Sequence, residues 1–316
     1  MKELKFLDII KNKLDNSEYL GDDCAFLKDL DIFVTQDTLV ENVHFSLNTI
    51  TPYLLGRKAL SVNLSDLAAA LAKPEYITVS LSVPKMTKEF FVEELYRGIN
   101  DVCREYNTKV IGGDITGSDS VVISICAIGK KISKYITSRS YAKKDDYIVV
   151  TGNLGASASG FHALSHFLYA EDKLINAHLN PTPRIKEAAI VSDIINTNIA
   201  AMDCSDGLID ALYKTAFNSR HSVSIDINRV PVSDEVKNYC KRNSLDYTQF
   251  VKWGGEDYEL LLFVDEDTYM KLDGNMFTSI GRVLNKDSNP SVIVTNGNTD
   301  EIITRKVFEN NSFNHF

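Results

Sequence analysis

The chain has 316 residues, 44% hydrophobic and 24% charged, a mix typical of water-soluble globular proteins and long enough to bury a core without disulfides or a structural metal. Its 43 acidic residues exceed its 34 basic ones, giving a net charge of −9 that excludes nucleic acid and anionic membrane surfaces as favoured partners. The five cysteines, Cys24, Cys103, Cys126, Cys204 and Cys240, form no Cys-x-x-Cys pair and read as core residues of a reducing compartment. With no signal-like or membrane-length apolar run, the expected location is the cytoplasm.

A short helix is expected over Phe6 to Leu14, followed by a turn at Gly21-Asp22-Asp23 and a strand at Ile32-Phe33-Val34-Thr35. The Leu- and Ala-rich run from Leu54 to Leu71 reads as a helix, and Tyr76 to Val83 alternates like a half-buried strand. Glu89 to Tyr106 has helical spacing. Lys109-Val110-Ile111 reads as a strand ending in a turn at Gly112-Gly113-Asp114, with another strand at Val121 to Ile128. The polar, basic stretch Gly129 to Asp146 marks a domain boundary, dividing the chain into 1–137 and 138–316. Beyond it come a strand (Tyr147 to Val150), a glycine-containing turn (Gly152 to Gly160) and helices at Phe161 to Ala170 and Arg184 to Ile195. A strand near Ile199 to Met202, a helix from Leu208 to Ser219 and a buried strand at Tyr258 to Val264 complete the series. This alternation predicts an α+β chain of two domains of similar size.

The aspartates carry the chemical signal. Asp22 and Asp23 follow Gly21, Asp37 follows a strand, Asp114 follows two glycines, and Asp203 and Asp206 flank Ser205 between a strand and a helix. Asp66 sits in the apolar helical run Val62 to Ala69, where an ionised carboxylate is costly unless paired or bound to metal. Oxygen donors at strand ends suit Mg²⁺, which takes one or two carboxylates together with substrate phosphates. Taken singly, each loop aspartate also fits a turn or a helix N-cap, and Asp66 an N-cap or an exposed helix face. Gly152-Asn153-Leu154-Gly155-Ala156-Ser157 fits a tight turn or a phosphate cradle, but lacks the ending of a P-loop. His162 and His166 have i,i+4 spacing without a third ligand, and no Gly-x-Ser-x-Gly or His-Glu-x-x-His motif occurs.

As an ordered set, the motifs resemble the thiamine-monophosphate kinase family. They are Gly21-Asp22-Asp23, Thr35 to Glu41 with His44-Phe45, Lys58 to Ala69, Ile111 to Asp114, Thr151 to Gly155, Pro183-Arg184, Asp203 to Leu208 and Gly254 to Leu260. The resemblance implies transfer of the γ-phosphate of ATP to thiamine monophosphate on a fold like that of aminoimidazole ribonucleotide synthetase. It implies an N-terminal domain that dimerises through its sheet and a C-terminal α/β domain. By motif position it assigns Asp23, Thr35, Gln36, Asp37, Asp66, Asp114, Asp203 and Asp206 to several Mg²⁺ ions. It assigns Tyr106, Gly113, Asp114, Arg139 and Ser205 to ATP, and His44, Glu256 and Phe313 to the thiamine substrate. Such a transfer needs positioning and charge neutralisation, so direct in-line attack by the acceptor phosphate is expected, without a protein nucleophile. Gln36 stands where the family usually has Thr, Ile115 where Thr usually follows the Gly-Gly-Asp motif, and Ala70-Leu71 where Met-Gly is usual. The alternatives are a sister enzyme of this scaffold, making selenophosphate or aminoimidazole ribonucleotide, and a non-catalytic nucleotide-binding module. Against the selenophosphate case, no cysteine-bearing glycine-rich segment precedes Cys24.

Overall fold

The computed structural model describes residues 2–15 and 17–312. Helix α1 (Lys2–Lys13) precedes the first sheet, built from β1 (Ala25–Leu27), β2 (Ile32–Val40), β3 (Ala72–Val83), β4 (Lys109–Gly117) and β5 (Val122–Lys131). Helix α2 (Pro52–Ala69) connects β2 to β3, and α3 (Glu89–Tyr106) connects β3 to β4. The strand order is β1-β2-β5-β3-β4, antiparallel except for the β3–β4 pair, whose parallel alignment requires the α3 crossover. One face of the sheet is apolar with period two. Phe33, Leu39, Ile77, Val79, Leu81, Ile123, Ile125 and Ala127 are buried in the same core as residues of α2 and α3.

Helix α2 is buried along most of its length, with Leu55, Leu60, Leu64 and Leu67 in the core and the polar Lys58, Ser61, Asn63 and Ser65 buried as well. Thr51 caps it by accepting from the Leu54 N–H, and Pro52 opens its first turn. It packs so closely on α3 that a Cβ on Gly56 would lie 2.0 Å from the Leu95 carbonyl oxygen, and one on Gly98 2.0 Å from that of Tyr53. Its C-terminal residues Ala68 and Ala69 join a core with Val149, Ala188, Leu260 and Leu262 from the second half of the chain. Thus α2 forms the spine between the two sheets, and Asp66 near its end is carried to the junction.

The second sheet contains β6 (Tyr147–Thr151), β7 (Ala200–Asp203), β8 (His221–Asp226), β9 (Leu260–Val264), β10 (Phe277–Lys286), β11 (Val292–Thr295) and β12 (Asp300–Ile303). Its order is β12-β11-β8-β10-β6-β9-β7, with β8 and β11 parallel and the remaining pairs antiparallel. Around it lie α4 (Ala156–Ser165), α5 (Asp172–Leu179), α6 (Ile185–Ile194), α7 (Leu208–Ser219), α8 (Asp234–Arg242), α9 (Tyr247–Trp253), α10 (Glu266–Tyr269) and α11 (Arg305–Asn311).

The structure corrects several expectations. Asp37 lies inside β2, whose alternation continues to Val40. Gly112-Gly113-Asp114 is strand rather than turn: β4 runs on to Gly117, and a Cβ on Gly113 would come within 1.9 Å of the Val79 carbonyl oxygen, so glycine permits the close pairing with β3. The helix expected from Phe161 begins at Ala156, and β8, β10 to β12, α5, α8 and α9 are additional elements.

Candidate active site

The site lies where α2, β2, the β7–α7 turn and the Gly21–Asp23 segment meet. Carboxylate oxygens of Asp23, Asp66 and Asp203 lie within 4.8 Å of one another. Thr35, on the covered face of β2, donates its hydroxyl to Asp66 Oδ2 at 2.5 Å. Asn63, one turn before Asp66 on α2, accepts from the Asp37 N–H at 2.9 Å and fixes that stretch of β2 against the helix. Asp203 ends β7 and is 1% exposed; Ser65 donates to its Oδ2 at 2.6 Å and Ser205 to its Oδ1 at 3.0 Å.

Mutual repulsion is built in. Burial, reinforced by Asp23, pushes the Asp203 carboxyl up to about 7 against the two serine hydrogen bonds. Burial, Asp206 and Asp23 raise Asp37 to about 6, and burial together with Asp37, Asp203 and Asp23 raises Asp66 well above the carboxylate range. A set of hard oxygen donors that disfavours its own ionisation fits a divalent cation such as Mg²⁺, which relieves both the burial and the repulsion.

Two cations lie beside these carboxylates, near enough to each other to repel. Arg139 reaches Asp23 through its guanidinium and the Gly21 carbonyl at 3.2 Å, while its backbone N–H donates to Asp22 at 2.8 Å. Lys214 on α7 lies 3.1 Å from Asp206 and 2.6 Å from Asp210. The sequence reading missed Lys214 and Asp210, although Asp206, Asp210 and Lys214 recur at four-residue intervals, the spacing of one helix face.

The structure therefore gathers Asp23, Thr35, Asp37, Asp66, Asp203, Ser205, Asp206 and Arg139. Gln36 belongs to the opposite, open face of β2 and is exposed, so its side chain is not a candidate ligand on the covered face. Gly113 and Asp114 are also apart. Gly113 is in row with Asp37 but three strands away, about 14 Å at ordinary strand spacing, on an edge strand whose every residue is exposed. The Tyr106 hydroxyl, at the end of α3, donates to the Pro183 carbonyl at 3.5 Å rather than to the cluster. His44 lies in the turn after β2, its Nδ1 accepting from the Val40 N–H at 3.1 Å. Phe313 lies outside the described residues.

Glu256 precedes β9 in a left-handed backbone conformation, φ +64°. Burial would raise its pKa, but the Lys58 ammonium at 3.0 Å and the His178 imidazole at 3.1 Å outweigh burial and bring it down to about 2. The neighbouring Asp257 decides the role of the glycine loop at Gly152. Its carboxylate accepts from the Gly155 and Ser157 N–H groups at 2.7 and 3.0 Å, occupying the N-terminus of α4 that a phosphate would need. The tight-turn reading holds there. Main-chain bonds join the Glu256 loop to the β7–α7 turn: Cys204 N–H to Glu259 O at 2.8 Å, Tyr258 N–H to Cys204 O at 3.1 Å and Glu256 N–H to Ser205 O at 2.6 Å.

Two mixed α/β halves meeting over buried carboxylates define the class. Residues 21–130 match the AIR synthase related protein N-terminal domain, and residues 143–272 its C-terminal domain. The chain is 34% identical over 290 residues to a thiamine-monophosphate kinase of Aquifex aeolicus, covering 89% of this chain and 91% of that one. It is 31% identical over 313 residues to one of Bacillus subtilis, covering 94% and 93% respectively. The solved structure of AaThiL complexed with AMPPCP and TMP superposes with a TM-score of 0.83 at 31% identity, over 96% of this chain and 98% of that one. The chain belongs to the thiamine-monophosphate kinase family.

Proposed function

We propose that this protein transfers the γ-phosphoryl group of ATP to thiamine monophosphate in one in-line step, forming thiamine diphosphate and ADP. An oxygen of the acceptor phosphate forms the new bond to the γ-phosphorus as the bond to the β-phosphate oxygen breaks. The acceptor is already anionic, so no protein nucleophile or strong base is assigned. The observation that carries the reading is the convergence of Asp23, Asp66 and Asp203, with Arg139 on Asp23 and Lys214 on Asp206, within a chain 34% identical to a thiamine-monophosphate kinase.

Asp23, Thr35, Asp37, Asp66, Asp203 and Asp206 would hold Mg²⁺, which when bound neutralises phosphate charge and polarises the transferring group. Arg139 is placed to make forked contacts to phosphate oxygens, a role its planar guanidinium suits better than an ammonium would. Ser205 orients Asp203 and faces the same space. His44, Glu256 and Phe313 are assigned to the thiamine end, and Tyr106 to the nucleotide, on the family resemblance.

The working unit is a homodimer. Strand β4 presents an uncovered edge nine residues long, with Val110, Ile111 and Ile115 42%, 57% and 65% exposed, a surface that favours pairing with another chain. Gly113 and Asp114 lie on that edge, so association of two copies is what would bring them into a nucleotide site. The protein is assigned to the cytoplasm; no described helix is long and apolar enough to cross a membrane.

The test is incubation with ATP, Mg²⁺ and thiamine monophosphate, followed by chromatographic assay of thiamine diphosphate. Stoichiometric ADP and thiamine diphosphate are expected. ATP consumption without thiamine diphosphate, or product formation only with another acceptor, refutes the assignment.

A further inference from the structure

We propose that Lys58 and His178 are positioning residues for the thiamine end of the reaction, acting through Glu256. The proposal rests on the assignment of Glu256 to that substrate. The three residues come from distant parts of the chain: Lys58 from α2, His178 from the last turn of α5, and Glu256 from the loop before β9. Lys58 Nζ lies 3.0 Å and His178 Nδ1 3.1 Å from the same atom, Glu256 Oε2. Ser157 Oγ is also 3.1 Å from His178 Nδ1, where it can only share as acceptor the one Nδ1–H that faces Glu256.

Lys58 is 1% exposed on α2, a position too costly for an ammonium without a fixed counter-charge. His178 is 8% exposed, whereas the Glu256 side chain retains 25% of its surface. Two buried donors therefore grip one carboxylate oxygen from behind and fix the rotation of the group. Oε1 remains on the side that neither donor occupies, as an acceptor for an N–H of the aminopyrimidine ring. The main chain is fixed as well, by the left-handed conformation of Glu256 and its N–H bond to Ser205. Neither Lys58 nor His178 needs to touch the substrate.

The test compares KM for both substrates and calorimetric binding of thiamine monophosphate in Glu256→Gln, Lys58→Met, His178→Gln and the double variant Lys58→Met/Glu256→Gln. Each single change should weaken thiamine monophosphate about tenfold, the scale of one hydrogen bond to a charged group, and leave KM for ATP within about twofold. The double variant should be no weaker than Glu256→Gln alone, because Lys58 has no other route to the substrate. If Glu256→Gln leaves thiamine monophosphate binding unchanged, the substrate assignment falls, and the proposal with it. If Glu256→Gln weakens binding but Lys58→Met and His178→Gln do not, or if the effects multiply in the double variant, the proposal alone is overturned. His178→Gln, at the less buried donor, carries the same test should Lys58→Met not fold.

Discussion

Asp203 offers the sharpest test of the idea that this site is built against its own charge. Its carboxyl is pushed up to about 7, by burial first and by Asp23 second, whereas an aspartate in an unfolded chain titrates near 4. A rise of three units corresponds to about 4 kcal/mol between the two protonation states. The folded protein binds this proton more tightly than the unfolded chain does. The contribution is therefore complete below about pH 4 and is lost as the pH rises through about 7. Asp203→Asn is neutral throughout and still offers an acceptor to Ser65 or Ser205. In metal-free protein the variant should match wild type near pH 4 and exceed it at pH 8, by roughly 8 °C in Tm if 1 kcal/mol is worth about 2 °C. Differential scanning fluorimetry after EDTA treatment, from pH 4 to pH 8, reads this difference, since groups elsewhere titrate in both proteins. Mg²⁺ should raise the wild-type Tm at pH 8 and raise that of the variant much less. Parallel Tm–pH curves, or equal Mg²⁺ shifts in the two proteins, would refute the reasoning.

Three further outcomes follow from the geometry. Asp37→Asn should lower turnover by roughly 100-fold or more through loss of a metal ligand; near-normal turnover at saturating Mg²⁺ removes Asp37 from the ligand set. Cys204→Ala should keep its activity, because the thiol is fully buried and burial raises its pKa well above the ordinary value, leaving no thiolate nucleophile; loss of turnover with normal ATP binding contradicts direct transfer. Gly98→Ala should destabilise the fold by roughly 2–4 kcal/mol in denaturant melts, since its Cβ would strike the Tyr53 carbonyl, whereas Gly274→Ala, with nothing within 4 Å, should stay within about 0.5 kcal/mol; equal stabilities would show that α2 and α3 can separate freely.

Sequence reading succeeded where local signals suffice. The bounds of α3 and α7 were legible to the residue, because each has clear helical periodicity and ends at a left-handed residue, Asn107 or Arg220. The carboxylates were legible as an ordered set of motifs. Their convergence was not, because α2, β2 and β7 meet only through tertiary packing. The Lys58–Glu256 pair spans 198 residues, and nothing local to Lys58 distinguishes a buried ion pair from an exposed helix face. Asp114 looked like a turn residue after two glycines, yet those glycines serve a close strand pairing. Asp257 looked like part of the Glu256 motif, yet its carboxylate closes a helix N-terminus about a hundred residues earlier.

The main-chain bonds between the β7–α7 turn and the Glu256 loop have a consequence for how this enzyme can vary. If Ser205 serves the nucleotide and Glu256 the acceptor, as proposed, the distance between the two is gauged by peptide groups at 2.6, 2.8 and 3.1 Å. The approach is close enough that a Cβ on Gly255 would lie 2.6 Å from the Ser205 carbonyl oxygen. Surface loops ordinarily accept added or deleted residues. One residue inserted between Cys204 and Asp206, or between Glu256 and Tyr258, would shift the ladder by a full step. Reacting groups that must approach within about 3.5 Å would then be misaligned by more than the ångström that costs about a hundredfold in rate. These two loops should therefore resist any change in length.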